Sequence, residues 1–455
     1  MLPMFVNKSA DAVKIIFCTQ DSLAGLKEGL SDSSCCWLDS LNFEAKQETL
    51  ALLPNEEGKI GTVLWGIGDS KWQMAALASK LPVGVYYIDD WSGVNPELGC
   101  LAWALSQYRF DRYKITSTQT CPKLVVPENV NLEWVAAAYD AIKTIRDLIN
   151  TPAEDLGPAE LAEFTRGLVE KFQAKLTIIS GEELEREYPA IHRVGRAAVS
   201  EPVLIDFKWS HSRPIKTLVL VGKGVCFDSG GLDIKPSSGM LTMKKDMGGA
   251  AHVLGLASMI MSMNLPVDLR VLIPAVENAI SGNAMRPMDV IKTRKGTTVE
   301  IGNTDAEGRL ILSDALFEAS QSAPDLIIDF ATLTGAARIA MGTELPALFS
   351  NNDDVANRIL RNGRDCEDEL WRMPLYKPYN KHLRSQIADL NNIGKSPYGG
   401  AITAALFLEH FIGKDCPWVH IDLMAWNLAS MPGRPEGGEA MGILAVYNYL
   451  REWLN

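Results

Sequence analysis

The chain has 455 residues, of which 47% are hydrophobic and 22% are charged, a composition typical of folded globular proteins. Because one hydrophobic core cannot organise so long a chain, we expect two or three domains. The formal net charge of −12 argues against nucleic acid and anionic membranes as main partners, since no overall positive field attracts them.

Targeting and membrane segments are not predicted. No apolar run approaches the ~20 residues that are needed to span a bilayer. The first thirteen residues lack the basic region and apolar core of a secretory signal. Eight cysteines are scattered between Cys18 and Cys416 without a C-x-x-C pair, which is typical of reduced thiols. We therefore predict a cytoplasmic protein.

Residues 1–125 are predicted to form a smaller N-terminal α/β domain, because strand-like and helical stretches alternate there. The strand-like runs are VKIIFCT, GTVLWGIG and VGVYYID, and the helical stretches include DSLAGLKEGL and PELGCLAWALSQY. Two prolines and no helical period indicate a junction at 121–131. A linker helix is predicted within 126–155, and the sequence Asn150-Thr-Pro ends it.

Residues 156–455 are predicted to form a larger C-terminal α/β domain. Its strand-like runs TLVLVG, LRVLIP, DLIIDFA and PWVHIDL are continuously hydrophobic, and this favours strands that are covered on both faces. We therefore expect a central mixed, mainly parallel sheet that is flanked by helices. Ligands bind at the carboxyl ends of such strands, where Lys223 and Thr332 directly follow two of the runs.

Seven charged residues between positions 217 and 309 lie beside glycines or at the ends of apolar runs. Four of them are carboxylates, which would repel one another if they were buried together and could not all stay ionised. A pair of divalent cations, roughly 3.5–4 Å apart, would neutralise them. The pattern therefore predicts a metal site, and the seven residues are Lys223, Asp228, Lys235, Asp246, Asp305, Glu307 and Arg309.

Each of these residues also has an ordinary structural interpretation when it is taken alone. Asp246 could cap the following helix, and Asp305 and Glu307 could cap the next one. Lys223 lies between two glycines and could bind phosphate, although the full phosphate-loop pattern is missing. Lys235 alone is typical of a surface lysine. These separate interpretations do not explain why all seven residues occur together.

Three stretches closely resemble the leucyl aminopeptidase family of two-metal exopeptidases. They are VGKGVCFDSGGLDIKP, MKKDMGGAAHV and NTDAEGRLILSDAL, and the octapeptide NTDAEGRL is a specific signature of that family. The resemblance covers roughly residues 130–455 and is loose at the N-terminal end. It implies a cytosolic hydrolase with a dimetal peptidase domain over 156–455. Such an enzyme removes the first residue of peptides with a free α-amine, with Leu or other apolar first residues preferred.

The resemblance implies two metal sites. Lys223, Asp228, Asp246 and Glu307 match the ligands of the tighter site, and Asp228, Asp305 and Glu307 match those of the more exchangeable one. A lysine must lose its proton to bind a metal, which a neighbouring divalent ion promotes. The implied ions are Zn or Mn, with Mg or Co as further candidates, because this ligand set tolerates several metals.

The resemblance also implies the catalytic groups. A hydroxide that bridges the two metals would attack the peptide bond. Lys235 matches the residue that polarises the scissile carbonyl and stabilises the developing negative charge. Arg309 matches the residue that holds a bicarbonate, which would carry a proton to the leaving amine.

The implied partners are peptide substrates and five further copies of the chain in a homohexamer. Thr332 and Leu333 match the strand-end residues that receive the substrate backbone. Met243, Thr332 and Gly335 are expected to line the side-chain pocket. Substrate preference depends on this lining, where a buried methionine is also common in an ordinary core.

Two other functions compete with this hypothesis. A serine or cysteine hydrolase is the first, although the sequence has no G-x-S-x-G elbow and no histidine is obviously paired with Cys226. A regulatory or nucleic-acid-binding protein that uses a peptidase core as a scaffold is the second. The acidic charge balance argues against it as the main role.

Overall fold

The structure is a computed structural model that describes residues 2–115 and 120–455. The chain forms two compact units, and the segment near residue 430 belongs to the first of them. The first unit is Met1–Tyr139 with Ala429–Glu436, and the second is Asp140–Leu428 with Gly437–Asn455. The predicted limits 1–125, 126–155 and 156–455 stay predictions. The first of these spans includes residues 1 and 116–119, which lie outside the described residues.

The first unit contains a six-stranded sheet. Its strand order is β1-β6-β5-β2-β4-β3, in which β3 pairs antiparallel with β4 and the other pairs are parallel. This arrangement confirms the predicted N-terminal α/β fold. The strands are β1 (Phe5–Val6), β2 (Val13–Cys18), β3 (Leu50–Pro54), β4 (Ile60–Gly66), β5 (Val85–Ile88) and β6 (Lys123–Val125).

Helices in the N-terminal half of the chain begin at recognisable signals. Asn95 caps α4, because its side chain accepts hydrogen bonds from the backbone N–H groups of Glu97 and Leu98, and Pro96 follows it at the first helical position. The predicted helix after the junction is confirmed and ends at Asn150, as expected ahead of Pro152. The helices are α1 (Leu23–Glu28), α2 (Asp32–Ser40), α3 (Gln73–Lys80), α4 (Pro96–Leu105) and α5 (Leu132–Asn150).

The second unit is built on a nine-stranded sheet of order β16-β15-β18-β14-β9-β11-β8-β7, with β10 paired to β11 beside this path. Five of its pairings are parallel and three are antiparallel. The predicted mixed, mainly parallel sheet is therefore confirmed. Its strands are β7 (Lys175–Ile179), β8 (Val203–Ser210), β9 (Lys216–Gly222), β10 (Gly224–Asp228), β11 (Val267–Asn278), β14 (Leu326–Ala331), β15 (Ala347–Ser350), β16 (Trp371–Arg372) and β18 (Trp418–Asp422).

Two small sheets complete the strands of this unit. Strands β12 (Val290–Lys292), β13 (Thr298–Glu300) and β17 (Leu390–Asn391) form a three-stranded sheet. Strands β19 (Trp426–Asn427) and β20 (Gly437–Gly438) form an antiparallel pair. The three-stranded sheet matters for the site, because β13 ends just before the stretch that carries the predicted ligands Asp305 and Glu307.

Helices flank the central sheet, as the sequence predicts. Both α10 and α11 pack against β9, β11 and β14. Among the described residues, no helix is long and apolar enough to cross a membrane. The helices are α6 (Pro158–Lys171), α7 (Gly181–Glu187), α8 (Pro189–Gly195), α9 (Ser237–Met240), α10 (Gly248–Ser262), α11 (Gly308–Gln321), α12 (Gly335–Met341), α13 (Asp353–Asp365), α14 (Gly400–Glu409) and α15 (Ile443–Trp453).

Two predicted helix boundaries are wrong. Asp246 does not open α10, because it lies in the preceding 3₁₀ helix, Met243–Met247, and its side chain turns to other partners instead of capping. The apolar stripe of Ala440, Ile443, Tyr447, Leu450 and Leu454 predicts a closing helix that includes Ala440, but Ala440 does not belong to α15. That helix starts only after Gly442, whose φ of 77° lies outside the helical region.

Candidate metal centre

The predicted site residues lie at the carboxyl ends of strands in the central sheet. Lys223 directly follows β9, Asp228 is the last residue of β10, and Thr332 directly follows β14. The remaining predicted ligands come from the 3₁₀ helix before α10 and from the loop before α11. Sheet topology therefore brings together residues that are more than a hundred positions apart, where ligands bind in folds of this kind.

Lys223 joins two of the predicted carboxylates. Its Nζ lies 2.7 Å from Asp246 Oδ2 and 3.0 Å from Glu307 Oε1, and it donates a hydrogen bond of 3.0 Å to the Thr332 carbonyl. Burial alone would lower the pKa of this amine, but the neighbouring carboxylates raise it above its ordinary value. Gly308 makes the arrangement possible, because a Cβ there would lie 2.6 Å from Lys223 Cε.

Lys235 joins the other two carboxylates. Its Nζ lies 2.8 Å from Asp228 Oδ2 and forms a second ion pair with Asp305 Oδ1. Burial would lower the pKa of Lys235, but the two carboxylates raise it, so that the side chain keeps its positive charge near neutral pH. The structure thus places Lys235 in the site rather than on an open surface.

Three carboxylates are close enough to share one cation. Asp228, Asp305 and Glu307 each offer an oxygen, and these oxygens lie within 4.8 Å of one another. Burial, followed by the charge of Asp228, raises the pKa of Glu307 to about 8 and also raises that of Asp305. Glu307 Oε2 is buried and receives no hydrogen bond from any described residue. These oxygen donors and the unsatisfied buried atom fit a divalent cation.

Asp246 is the fourth of the predicted carboxylate ligands, and it pairs with Lys223. Its Oδ1 and its backbone carbonyl both accept from the Thr332 hydroxyl, at 2.8 and 3.0 Å. Burial would raise the pKa of Asp246, but the adjacent lysines and these hydrogen bonds lower it. Asp246 is therefore ionised and turned toward Lys223, which fits the predicted ligand role and not the helix-cap interpretation.

Arg309 lies in the first turn of α11 and is almost fully buried. Its Nη1 donates a hydrogen bond of 2.6 Å to the backbone carbonyl of Asn392. Its Nε is buried without a hydrogen-bond partner in the described part of the chain, and burial lowers the pKa of the guanidinium to about 10. A buried cation with a spare donor can hold a small oxyanion such as bicarbonate.

The predicted substrate residues surround the end of β14. Leu333 and Thr334 donate their backbone N–H groups to Asp422 Oδ1 at 3.0 and 3.1 Å, and the Thr334 hydroxyl donates to Asp422 Oδ2 at 2.6 Å. Gly335 begins α12 directly after this turn, and Met243 is buried in the 3₁₀ helix before α10. Thr332 touches predicted metal ligands, whereas no polar contact joins Met243 or Gly335 to them in the described residues.

Three residues that sequence reasoning missed hold predicted site residues or their neighbours in place. Asn278, at the end of β11, donates hydrogen bonds to Asp228 Oδ1 at 2.9 Å and to the Thr304 carbonyl at 3.1 Å. The strand-end rule could have found Asn278 and also Asp422, the last residue of β18. Nothing in the local sequence distinguishes the third, Asn392, whose contacts all lie far away along the chain.

Lys245 is a further unpredicted feature. This residue lies beside Asp246 and is buried, and its amine has no hydrogen-bond partner among the residues that the structure describes. Burial lowers the pKa of Lys245 to about 8. The amine therefore keeps part of its positive charge near the predicted ligands, although it contacts none of them directly.

The cysteine-hydrolase alternative finds no support in the structure. Cys226 is fully buried, and its thiol points to the carbonyl of Gly224 in its own strand. Burial raises the pKa of Cys226 well above its ordinary value, which makes a thiolate nucleophile inaccessible near neutral pH. All eight cysteines carry reduced thiols in this structure.

Comparison with protein families matches both parts of the chain. Residues 143–447 match the catalytic domain of the cytosol aminopeptidase family, and residues 13–127 match the M17 aminopeptidase N-terminal domain. The chain is 42% identical over 365 residues to a probable cytosol aminopeptidase of Syntrophotalea carbinolica, which covers 76% of this chain and 73% of that protein. It is 41% identical over 368 residues to a second one, from Roseiflexus castenholzii, with coverages of 77% and 75%.

Solved structures give the same result at the level of the fold. The crystal structure of cytosol aminopeptidase from Coxiella burnetii superposes with a TM-score of 0.96 at 46% identity, over 99% of this chain and all of that one. The bottromycin maturation enzyme BotP in complex with Mn superposes with a TM-score of 0.88 at 30% identity, over 98% of this chain and all of BotP.

Proposed function

The chain belongs to the cytosol aminopeptidase family, and from this premise we propose that it is a two-metal enzyme that prefers Leu or other apolar residues at the N-terminus of its peptide substrates. That it is a metal-dependent aminopeptidase follows from the family itself. The observation that best supports the proposal is the cluster of Asp228, Asp305 and Glu307, which combines crowded carboxylates with an unsatisfied buried oxygen.

Two sets of residues would hold the two ions. Lys223, Asp228, Asp246 and Glu307 would bind one ion, and Asp228, Asp305 and Glu307 would bind the other. Divalent ions bound here would lower the pKa of a water, so that hydroxide is available near neutral pH. The Mn complex of BotP supports a divalent ion of this kind, and Zn, Mn, Mg and Co remain the candidates.

Two positively charged side chains would act on the substrate. Lys235 is held by Asp228 and Asp305 and keeps its charge, so that it can polarise the scissile carbonyl and stabilise the negative charge that develops on its oxygen. Arg309 has a spare Nε donor in a buried position, so that it could hold a bicarbonate, and such an ion would supply a group able to move a proton at the leaving amine.

The end of β14 would receive the substrate backbone. The Thr332 carbonyl already accepts a hydrogen bond from Lys223, and the Leu333 N–H already donates one to Asp422. We therefore assign the Leu333 carbonyl as the acceptor for a substrate N–H group. Met243, Thr332 and Gly335 would line the pocket for the first side chain. Met243 would offer an apolar side chain and Gly335 no side chain at all, which supports a preference for Leu and similar residues.

We also propose a homohexamer in the cytoplasm, on the strength of the family resemblance. Light scattering of the purified protein tests the assembly, because a hexamer has six times the mass of the chain. A monomer across the micromolar range would contradict this part of the proposal.

Release of an N-terminal residue with and without metal tests the function. We expect the chelator-treated protein to lose its activity toward leucine amide and to regain it when Mn²⁺ or Zn²⁺ is added. N-acetyl-leucine amide should not be cleaved in either state, because the proposed mode of binding needs a free α-amine. Equal activity on both compounds, or full activity in chelator, would refute the proposal.

A further inference from the structure

A single buried amide holds the loop that carries two predicted ligands. Asn392 is fully buried. Its Oδ1 accepts hydrogen bonds from the backbone N–H groups of Gly302 and Asn303 at 2.7 and 3.2 Å. Its Nδ2 donates to the backbone carbonyls of Asn303 and Ala306 at 2.7 and 3.3 Å. These four bonds use both donors and both acceptor positions of the amide.

The main chain of Asn392 is held as firmly as its side chain. Its N–H donates to the Glu300 carbonyl at 3.0 Å, which continues the pairing of β13 with β17. Its own carbonyl accepts the 2.6 Å hydrogen bond from Arg309 Nη1. Asn392 therefore contacts both the loop before α11 and the predicted catalytic Arg309, and the three-stranded sheet holds Asn392 in place.

We propose that Asn392 is a positioning residue for the metal centre. Its amide fixes the irregular loop in the shape that brings Asp305 and Glu307 toward Asp228, and its carbonyl orients Arg309. Polar partners behind metal ligands set the orientation of those ligands and are costly to change. Asn392 can have this role only if the proposed metal-dependent function is correct.

A purely structural role makes a different prediction. Removing buried hydrogen bonds would then lower stability, but the folded protein would bind metal as before. A positioning role requires that the folded variant bind metal more weakly, because the loop is released while the fold remains. Metal affinity of the folded protein therefore separates the two roles.

The variant Asn392→Asp tests the role with almost no change in size. The new carboxylate oxygen would face the carbonyls of Asn303 and Ala306, which would push this side of the loop away. By charge alone, an added carboxylate near a cation site would tighten metal binding. A loss of affinity would therefore report the loss of loop geometry and could not come from the added charge.

The measurement is isothermal titration of chelator-stripped protein with Mn²⁺. We expect the affinity of Asn392→Asp to fall about 10- to 100-fold relative to the wild type, as is usual for changes behind metal ligands. Circular dichroism confirms that the variant is folded. If Asn392→Asp does not fold, Asn392→Ser replaces it, with the same expected direction, because the shorter serine side chain has only one donor and cannot replace all four hydrogen bonds.

The matched control is Asn352→Asp. Asn352 caps α13 by accepting a hydrogen bond from the Val355 N–H, a task that aspartate does equally well, so Mn²⁺ affinity should not change. Wild-type affinity or tighter binding in folded Asn392→Asp would overturn the positioning role alone. Wild-type protein that binds no Mn²⁺ would overturn the proposed function, and the role of Asn392 with it.

Discussion

The contact between α10 and the central sheet allows no side chain at Gly249. A Cβ at this position would lie 2.8 Å from the Lys223 backbone nitrogen and 2.8 Å from the Phe330 carbonyl carbon, and closer still to the Phe330 oxygen. The ordinary range for such contacts is 3.4–4 Å. All three are backbone atoms, one directly after β9 and two in β14, and they cannot rotate away as a side chain could. The Gly249→Ala change should therefore push the start of α10 off the sheet.

The expected cost follows from this overlap. Overpacking a well-ordered core costs about 1–3 kcal/mol, and a collision with backbone belongs at the upper end of that range. The better helix propensity of alanine offsets at most about 1 kcal/mol of this cost. We therefore expect Gly249→Ala to lower the free energy of unfolding by about 2 kcal/mol or more. Metal affinity should fall as well, because Ala250 N–H donates to the Lys223 carbonyl at 2.8 Å and Asp246 lies two residues before α10.

Scanning calorimetry and Mn²⁺ titration check both effects, with Gly167→Ala as the control. Gly167 lies on an exposed part of α6, where a Cβ would meet nothing within 4 Å, so alanine should stabilise by up to about 1 kcal/mol. We expect Gly249→Ala to melt several degrees below the wild type and Gly167→Ala at or above it. Equal melting temperatures and equal Mn²⁺ affinity for Gly249→Ala and the wild type would refute this account of the packing.

Three further predictions concern single side chains. Lys235→Ala and Arg309→Ala should each lower kcat by about 10²-fold or more while metal content stays nearly unchanged, and loss of metal would show that these roles are misassigned. Glu439→Gln should lower the free energy of unfolding by about 3 kcal/mol in denaturant titrations, because it removes the negative charge that pairs with the buried Arg146, and a change below 1 kcal/mol would contradict this. Hydrogen bonds from Arg361 and Asn362 lower the pKa of Glu452 to about 2. The melting-temperature advantage of wild type over Glu452→Gln should therefore be present above pH 4.5 and disappear as the pH falls toward 2. An advantage that is independent of pH would contradict that assignment.

Much of the central sheet could be predicted because its strands carry the signal locally. TLVLVG and DLIIDFA are continuously hydrophobic, and a buried parallel strand requires this pattern. The polar residues that follow them, Lys223 and Thr332, could be placed at one edge of the sheet for the same reason. The ligand roles came from the NTDAEGRL stretch by resemblance, since no periodicity in the sequence assigns Asp305 and Glu307 to one cation.

Features that depend on distant contacts could not be predicted. The Asn392 amide acts on a loop about ninety positions earlier, and its neighbours in the sequence carry no sign of that. The segment Ala429–Glu436 belongs to the first unit, although it lies close to the C-terminus. Aspartate is a typical helix cap, so the sequence predicts that α10 opens at Asp246. The Asp246 carboxylate instead pairs with Lys223 and accepts a hydrogen bond from the Thr332 hydroxyl.

The most direct test of the central claim is the anomalous scattering of crystals grown with Mn²⁺. We propose that these carboxylates lie together because divalent ions neutralise them. We therefore expect two anomalous peaks per chain, roughly 3.5–4 Å apart, both in contact with Asp228 and Glu307. A map without manganese at these two residues, with the metal bound elsewhere or not at all, would contradict it.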